Sequence, residues 1–214
     1  MELQETKTGE FTLYIPSMDE TYHSRDGAIS ESKHVFLKEG LDRTSGNVQV
    51  LEVGFGTGLN ALLTADYARN HSRKIKLETL EPFPVPDALI EEINYGKYVG
   101  QESLYTSLHE APWEIDVRVS DHFTLYKTTQ KLEYIKLVEN KYDVIFFDAF
   151  APKKQPELWS LEIFQKLYEA TKKGGLLTTY SAAGQLKRNL KSVGYTIENP
   201  PGANGKREMT VAVK

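Results

Sequence analysis

Three alternating glycines in the first half of the chain have a spacing that suits close contact between the backbone and a ligand. Gly54, Gly56 and Gly58 lie in the stretch V-Q-V-L-E-V-G-F-G-T-G-L-N, between an apolar run and the start of a predicted helix. Glycine lets the backbone turn sharply and places no side chain between the main chain and a ligand. The amides at the start of the next helix suit a carboxylate or a phosphate. Open α/β sheets often bind a nucleotide-like cofactor in this way, so the pattern favours an enzyme.

Acidic residues stand at the ends of three further predicted strands, which are residues 75–80, 115–119 and 142–147. These acids are Glu81, Asp121 and Asp148. Glu81 can accept both hydroxyls of a ribose, and Asp121 can accept from an adenine amino group. Asp148 can hold a substrate amine beside the reactive end of a cofactor, because its strand is predicted to lie next to the glycine loop. Glu81 or Asp121 alone is more consistent with a solvated loop residue, and the alternative for Asp148 is a cap of the next turn. A glycine loop, Glu81 and Asp121 at three successive strand ends nevertheless indicate a site.

Alternating strands and helices predict an α/β fold with a mostly parallel sheet that is covered on both faces. The near-continuous apolar run Tyr142–Phe147 predicts a central strand. Two closing strands with no helix between them predict an antiparallel C-terminal edge hairpin. The predicted strands are 11–15, 48–53, 75–80, 115–119, 142–147, 176–180, 195–198 and 207–213, and the predicted helices are 31–39, 59–69, 87–94, 156–171 and 183–193. We expect residues 1–45 to form an N-terminal extension, with a strand and a short helix, that packs on a domain of residues 46–214.

Composition excludes several classes of site. The chain has 214 residues, 40% of them hydrophobic and 26% charged, which is ordinary for a globular domain. It has no cysteine, so disulfides, thiolate zinc sites and a cysteine nucleophile are excluded. The five histidines show no paired spacing, so we expect no metal. No apolar run approaches the roughly 18 residues of a membrane helix, and the N-terminus lacks a signal-peptide core. We therefore expect a cytoplasmic protein that does not interact with membranes.

Charge is distributed unevenly along the chain. The net charge is −4, with −10 in residues 1–150 and +6 in residues 151–214. The basic last third predicts a local phosphate-binding face, although an ordinary solvated helix surface would have the same composition.

The glycine loop alone leaves the cofactor open. A dinucleotide fingerprint requires glycine at the position of Leu59. The pattern G-x-G-x-G, with Glu52 two residues before it, resembles the first motif of S-adenosyl-L-methionine (SAM) enzymes. A NAD site and an incidental strand–glycine–helix turn are the alternatives.

Longer strings resemble one enzyme family along nearly the whole chain. The string F-F-D-A-F-A-P-K-K-Q-P-E-L-W-S, from Phe146 to Ser160, is similar to the methyltransferase half of the bifunctional tRNA 5-methylaminomethyl-2-thiouridine biosynthesis proteins. So are G-F-G-T-G-L-N, Y-S-A-A-G, G-K-R-E-M and, near the N-terminus, D-E-T-Y-H-S with E-S-K-H-V-F. The family commonly has glycine where Ala149 stands, which is a mild departure. This chain is too short to hold the family's FAD-dependent oxidase half.

The resemblance implies a class I SAM-dependent methyltransferase (Rossmann-like) fold that methylates the amine of wobble 5-aminomethyl-2-thiouridine in tRNA. The implied cofactor is SAM, without metal or FAD, and a separate oxidase or other enzyme would supply the aminomethyl intermediate. Asp148 and Phe150 are the implied catalytic residues, with Phe150 placed to stack on the uracil. The predicted cofactor-binding residues are Glu52, Gly54, Gly56, Gly58, Asn60, Glu81 and Asp121. The predicted contacts to the tRNA anticodon stem-loop are Lys153, Lys154, Lys187, Arg188, Lys191, Lys206 and Arg207.

The role of Asp148 follows from the chemistry of amine methylation. The attacking amine must be neutral, and a carboxyl with an ordinary pKa near ~3.9 is a weak base for that purpose. We therefore expect Asp148 mainly to orient the amine and to stabilise the cationic product. Two alternatives stay open: a methyl- or aminopropyltransferase that acts on a small amine, and a catalytically silent tRNA-binding module.

Overall fold

An eight-stranded sheet forms the centre of the computed structural model, which describes residues 1–214. The spatial order of its strands is β10-β11-β9-β8-β4-β5-β7-β6. Five neighbouring strands, from β9 to β7, run parallel, while the strands at both edges pair antiparallel. The strands of this sheet are β4 (Val48–Val53), β5 (Ile75–Leu80), β6 (Asp116–Arg118), β7 (Phe123–Thr128), β8 (Tyr142–Phe147), β9 (Thr171–Thr179), β10 (Thr196–Glu198) and β11 (Thr210–Val213). The structure thus confirms the predicted mostly parallel sheet and its antiparallel C-terminal hairpin.

Helices cover both faces of this sheet. The α-helices are α1 (Ala28–Ser32), α2 (Leu59–Asn70), α3 (Asp87–Ile93), α4 (Tyr95–Val99), α5 (Glu102–Glu110), α6 (Leu161–Ala170) and α7 (Gly184–Ser192). Short 3₁₀ segments lie at Leu41–Arg43, Pro156–Trp159 and Ala203–Gly205. One buried apolar cluster joins α2 and α5 to one face of the sheet, and a second joins α6 and α7 to the other face.

The first 45 residues form a small sheet and a helical segment. The strands β1 (Glu2–Glu5), β2 (Phe11–Ile15) and β3 (Glu20–Thr21) pair antiparallel. Helix α1 continues directly into a π-helix, Lys33–Lys38, so the single helix predicted at 31–39 is two segments. Leu13, Val35 and Phe36 are buried in the same apolar cluster as α2. The proposed boundary between residues 45 and 46 stays a prediction.

Two other predicted elements differ from the structure. The helix predicted at 156–171 is a 3₁₀ turn followed by α6, and β9 begins already at Thr171, before the glycine pair that was expected to separate helix and strand. The strand predicted at 115–119 is the short edge strand β6, and the parallel neighbour of β5 is the unpredicted β7.

The order in which the chain adds strands to the sheet reverses between β4 and β8. From β4 the chain builds outward through β5 to β7, and it then returns to place β8 on the other side of β4. The loops that follow β4 and β8 therefore diverge at the carboxyl edge of the sheet, which is where open α/β sheets bind their ligands.

Candidate active site at the carboxyl ends of the strands

A cavity of about 430 Å³ lies at this carboxyl edge. The loops after β4, β5, β7 and β8 form its floor and sides, and the segment between β2 and the π-helix forms the opposite wall. The residues that line the cavity include Tyr22, Glu31, Gly54, Gly56, Glu81, Phe83, Leu132, Asp148, Phe150, Tyr180 and Lys206. The loop after β9 contributes Tyr180, and the loop between β10 and β11 contributes Lys206. Because six separate loops and the N-terminal segment contribute to it, this cavity is the candidate active site.

Two glycines of the loop after β4 are required by close contacts. A Cβ on Gly54 would lie 2.8 Å from the carbonyl oxygen of Asp148, and one on Gly56 would lie 2.9 Å from the ring of Tyr22. Both residues also have positive φ, 95° and 51° respectively, a region that side chains disfavour. The loop is therefore pressed against the β8 loop and against Tyr22, with its backbone exposed to the cavity.

The Glu81 carboxylate, just after β5, lies beside this loop. One oxygen accepts from the Gly56 amide at 2.9 Å, and the other accepts from the Phe83 amide at 3.0 Å. Burial raises the pKa of Glu81, and the two backbone hydrogen bonds oppose that rise. Each carboxylate oxygen has lone pairs beyond its backbone bond, so Glu81 can also accept from hydroxyls in the cavity.

Asp148, just after β8, is the acidic group at the switch point. Its Oδ2 accepts from Asn60 Nδ2 at 2.7 Å, and its backbone amide donates to the Val53 carbonyl at 3.0 Å. Burial raises the pKa of Asp148 to about 7, with the Asn60 hydrogen bond opposing and the negative charge of Glu31 adding to the rise. The sequence-based expectation assumed an ordinary carboxyl pKa. The structure instead gives a group that can exchange a proton near neutral pH.

An aromatic pair stands next to Asp148. The rings of Phe150 and Tyr22 meet edge to face, with centroids 5.1 Å apart. The backbone around Phe150 is fixed from two sides, because Trp159 Nε1 donates to the Phe150 carbonyl and the Tyr180 hydroxyl donates to the Ala149 carbonyl, both at 2.9 Å. The structure thus brings together the predicted residues Gly54, Gly56, Glu81, Asp148 and Phe150, with Asn60 behind Asp148.

Four residues that were predicted to contact a cofactor do not line this cavity, and they are Glu52, Gly58, Asn60 and Asp121. Glu52 is fully buried beneath the loop. Asp121 lies in the turn between β6 and β7, with its side chain 85% exposed and paired with Arg118 at 2.8 Å. The prediction placed Asp121 after a parallel strand, but the turn precedes β7, so Asp121 lies at the opposite edge of the sheet. The loop at the carboxyl end of β7 contributes Leu132 to the cavity instead.

The predicted basic residues do not form one continuous free surface. Lys206 lines the cavity mouth and pairs with Glu31. Lys187 pairs with Glu208 at 3.1 Å, and Lys154 lies 3.8 Å from Asp19. The remaining predicted cations are exposed, and they are Lys153, Arg188, Lys191 and Arg207.

The sequence analysis assigned no role to the N-terminal residues that complete the site. His23 Nε2 and Thr57 Oγ1 are 2.7 Å apart, so the N-terminal segment also holds the glycine loop. Burial lowers the pKa of His23 to about 4, which keeps it neutral at pH 7. The strings D-E-T-Y-H-S and E-S-K-H-V-F, which contain Tyr22, His23 and Glu31, were the available signal.

Comparison with known proteins identifies the family. Residues 105–214 match the model of a family described as S-adenosyl-L-methionine-dependent methyltransferase. The chain belongs to this methyltransferase family. The crystal structure of MNMC2 from Aquifex aeolicus superposes with a TM-score of 0.76 at 26% identity, covering 99% of this chain and 69% of that one. A carbon methyltransferase named CurJ shares the fold, with a TM-score of 0.51 at 14% identity and coverage of 88% of this chain and 55% of that one. These findings confirm the class I, Rossmann-like fold and the use of SAM.

Curated relatives are much longer than this chain. A tRNA 5-methylaminomethyl-2-thiouridine biosynthesis bifunctional protein from Cupriavidus necator is 31% identical over 93% of this chain and 32% of its own length. The protein of the same name from Leptospira interrogans is 31% identical over 96% of this chain and 34% of its own length. The methyltransferase therefore spans about a third of the relatives it matches.

The cavity fits SAM on its own geometry. The glycine loop leaves its backbone open where any Cβ would collide, and Glu81 can accept the ribose hydroxyls. Phe83 and Leu132 offer apolar surface to a flat ring in the same cavity. No helix is both long and apolar enough to cross a membrane, and no group of three or more metal-ligating side chains comes together in the structure.

Proposed function

We propose that this methyltransferase acts on the aminomethyl group of wobble 5-aminomethyl-2-thiouridine in tRNA and gives 5-methylaminomethyl-2-thiouridine. The observation that carries the proposal is that Asp148, whose carboxyl accepts from Asn60, lines the same cavity as the glycine loop and the Phe150–Tyr22 ring pair. A carboxylate suits a basic amine, and aromatic faces suit an unstacked base, which is how loop bases in RNA are read. The names of the relatives, tRNA 5-methylaminomethyl-2-thiouridine biosynthesis bifunctional proteins, supply the identity of the base.

Different residues of this chain would bind the cofactor and the substrate. The glycine loop and Glu81 would hold SAM, and Phe83 and Leu132 would lie against its adenine. When bound, SAM supplies an electrophilic methyl group on a positively charged sulfur. Asp148 and Phe150 would face the substrate, so that positioning supplies much of the rate.

Asp148 can accept the proton that the reaction releases. The amine nitrogen forms a bond to the methyl carbon as the carbon–sulfur bond breaks, and the electron pair of that bond stays on sulfur. The nitrogen then carries an extra proton. Because burial raises the Asp148 pKa to about 7, this carboxylate is a better acceptor for that proton than an ordinary aspartate. Asp148 therefore both orients the amine and receives its proton, which adds proton transfer to the orienting and product-stabilising role expected from sequence.

The tRNA anticodon stem-loop would approach across the cavity mouth. Lys206 stands there, and the exposed Lys153 and Arg207 are close in sequence to Phe150 and Lys206 respectively. Phosphate contacts of this kind position RNA without reading its sequence. A separate oxidase or other enzyme would supply the aminomethyl intermediate, and the reaction would take place in the cytoplasm, where tRNA is modified.

The direct test is incubation of the protein with SAM and tRNA that carries 5-aminomethyl-2-thiouridine, followed by mass spectrometry of the nucleosides. We expect the wobble nucleoside to gain the mass of one methyl. The Asp148→Asn variant should lose this activity, while Asp121→Asn, which alters an exposed acid at the opposite edge, should keep it. Methylation of a free small amine but not of this tRNA would overturn the substrate assignment and favour a small-amine transferase. SAM binding without transfer to either would favour a silent binding module.

A further inference from the structure

Glu52 is an acidic residue for which the structure offers no charged partner. Glu52 lies on β4, is 0% exposed and does not line the cavity. Both of its carboxyl oxygens are buried without a hydrogen-bond partner. The charged groups that act on it are Asp148 and Glu81, both acidic. An ionised carboxylate in this position would be desolvated without compensation, which proteins rarely tolerate.

The polar neighbours of Glu52 fit a neutral carboxylic acid instead. Thr79 stands opposite Glu52 in the β4–β5 register, and Asn60 is its other polar neighbour. Asn60 gives its Nδ2 donor to Asp148 at 2.7 Å, so its Oδ1, which is also buried without a partner, requires a donor. A protonated Glu52 can provide that O–H, whereas an ionised one would direct another acceptor at Oδ1. The Thr79 hydroxyl, likewise buried without a partner, can donate to the remaining oxygen of the acid.

We propose that Glu52 is a positioning residue that stays protonated and, through Asn60, fixes the orientation of the Asp148 carboxylate in the active site. Burial raises the pKa of Glu52 to about 8, with Thr79 and Asn60 opposing the rise, and it raises that of Asp148 to about 7. Unlike Glu52, Asp148 accepts a hydrogen bond from Asn60 at 2.7 Å, which favours its ionised form. Glu31 and Lys206, which also face Asp148 from the cavity wall, form an ion pair with each other. This inference rests on the proposed function in one respect only, which is that the ligand oriented by Asp148 is the substrate amine. It differs from the sequence-based prediction, in which Glu52 contacts the cofactor.

The protonation state can be measured without any substrate. Infrared difference spectra of the ligand-free protein at pH 6.5, wild type minus Glu52→Gln, should show the carbonyl band of a protonated carboxylic acid. The same subtraction for Asp121→Asn should show the bands of an ionised carboxylate. A carboxylate band in the Glu52 difference would overturn the proposal, whatever the protein methylates.

The positioning role is tested by two variants with opposite expectations. Glu52→Gln keeps a neutral donor, so turnover and the SAM dissociation constant should both stay within about threefold of wild type. Turnover should decrease at acidic pH as Asp148 becomes protonated, and this acidic limb of the pH–rate profile should lie at the same pH in Glu52→Gln as in wild type. Glu52→Asp withdraws the O–H from Asn60, so turnover should fall roughly tenfold with SAM affinity retained.

Two results would refute this role. If Glu52 were ionised, Glu52→Gln would remove a negative charge beside Asp148 and move the acidic limb down by about one pH unit or more. If Glu52 held the cofactor, the same variant would weaken SAM binding about tenfold. A wild-type protein that binds SAM but does not methylate tRNA would count against the proposed substrate alone, because the infrared test would still report on Glu52.

Discussion

Replacing Asp148 by asparagine should abolish methyl transfer and yet stabilise the ligand-free protein at neutral and basic pH. Burial raises the pKa of this carboxyl in the folded protein from the usual 3.8 to about 7. The folded state therefore holds a proton that the unfolded chain releases between those two values. Stability contributed by the protonated group is present in full below pH 3.8 and is lost as the pH rises towards 7.

The size of the effect follows from the same two values. At 1.36 kcal/mol for each pH unit, ionising Asp148 costs the fold at most about 4 kcal/mol by pH 8, and relaxation of the site will reduce this. The amide introduced by Asp148→Asn cannot ionise, and its side-chain oxygen can still accept from Asn60. The variant should therefore match wild type near pH 4 and exceed its unfolding free energy by roughly 1–4 kcal/mol at pH 8.

Urea unfolding followed by circular dichroism at pH 4 and pH 8, without SAM, measures this difference. Asp121→Asn is the matched control, because Asp121 is exposed at the opposite edge of the sheet, and it should show no gain at either pH. A variant at Asp148 that is no more stable than wild type at pH 8 would show that the carboxyl is not desolvated. The proton-accepting role assigned to it would then fail as well.

Three further predictions concern cofactor and RNA. Glu81→Gln should weaken SAM binding roughly tenfold by calorimetry, because a neutral amide accepts from the ribose hydroxyls less strongly; unchanged affinity would remove Glu81 from the cofactor site. Gly56→Ala should also weaken SAM binding, and Tyr22→Ala should partly restore it, since the new Cβ would lie 2.9 Å from that ring. Gly46→Ala is the control for backbone strain alone, because its φ is 65° and nothing lies within 4 Å of the added Cβ. The tRNA affinity should fall steeply with salt, and Lys153→Met should reduce the log–log slope by about 1; a flat salt response would contradict the RNA-binding surface.

Local sequence was sufficient to predict those strands whose own pattern of apolar residues determines their position. The strands β4, β5 and β8 were predicted with their observed bounds because apolar residues occupy most of their buried positions and a glycine or an acid follows each strand. The strand β7 was missed because Lys127 occupies one of its buried positions, whereas Lys76 in β5 lies at a half-buried one. Lys127 is 1% exposed, and its ammonium donates to the carbonyls of Leu108 and His109 at 2.9 and 2.8 Å. Only the fold supplies those carbonyls, so no local pattern marks Lys127 as buried.

The error at Asp121 followed directly from the missed strand. With β7 unrecognised, the alternation I-x-V-x-V was interpreted as the third parallel strand, and the acid after it was assigned to the carboxyl edge. The wall formed by Tyr22 and His23 was missed for a different reason. It depends on contacts between residues more than 30 positions apart in the chain, such as His23 with Thr57 and Tyr22 with Phe150. Sequence motifs marked those residues but could not assign their partners.

The acidic character of the site predicts a cost to the ligand-free fold and a preference for a cationic ligand. Glu52, Asp148 and Glu81 stand on or directly after three adjacent strands, and burial raises the pKa of each. None of the three forms an ion pair in the structure, so the ligand-free protein must keep protons on this cluster or accept unpaired negative charge. A sulfonium ion supplies the missing positive charge, whereas the thioether that remains after methyl transfer does not. The same electrostatics that stabilise bound SAM therefore favour release of the demethylated product, which links the cost of burying these carboxyls to turnover.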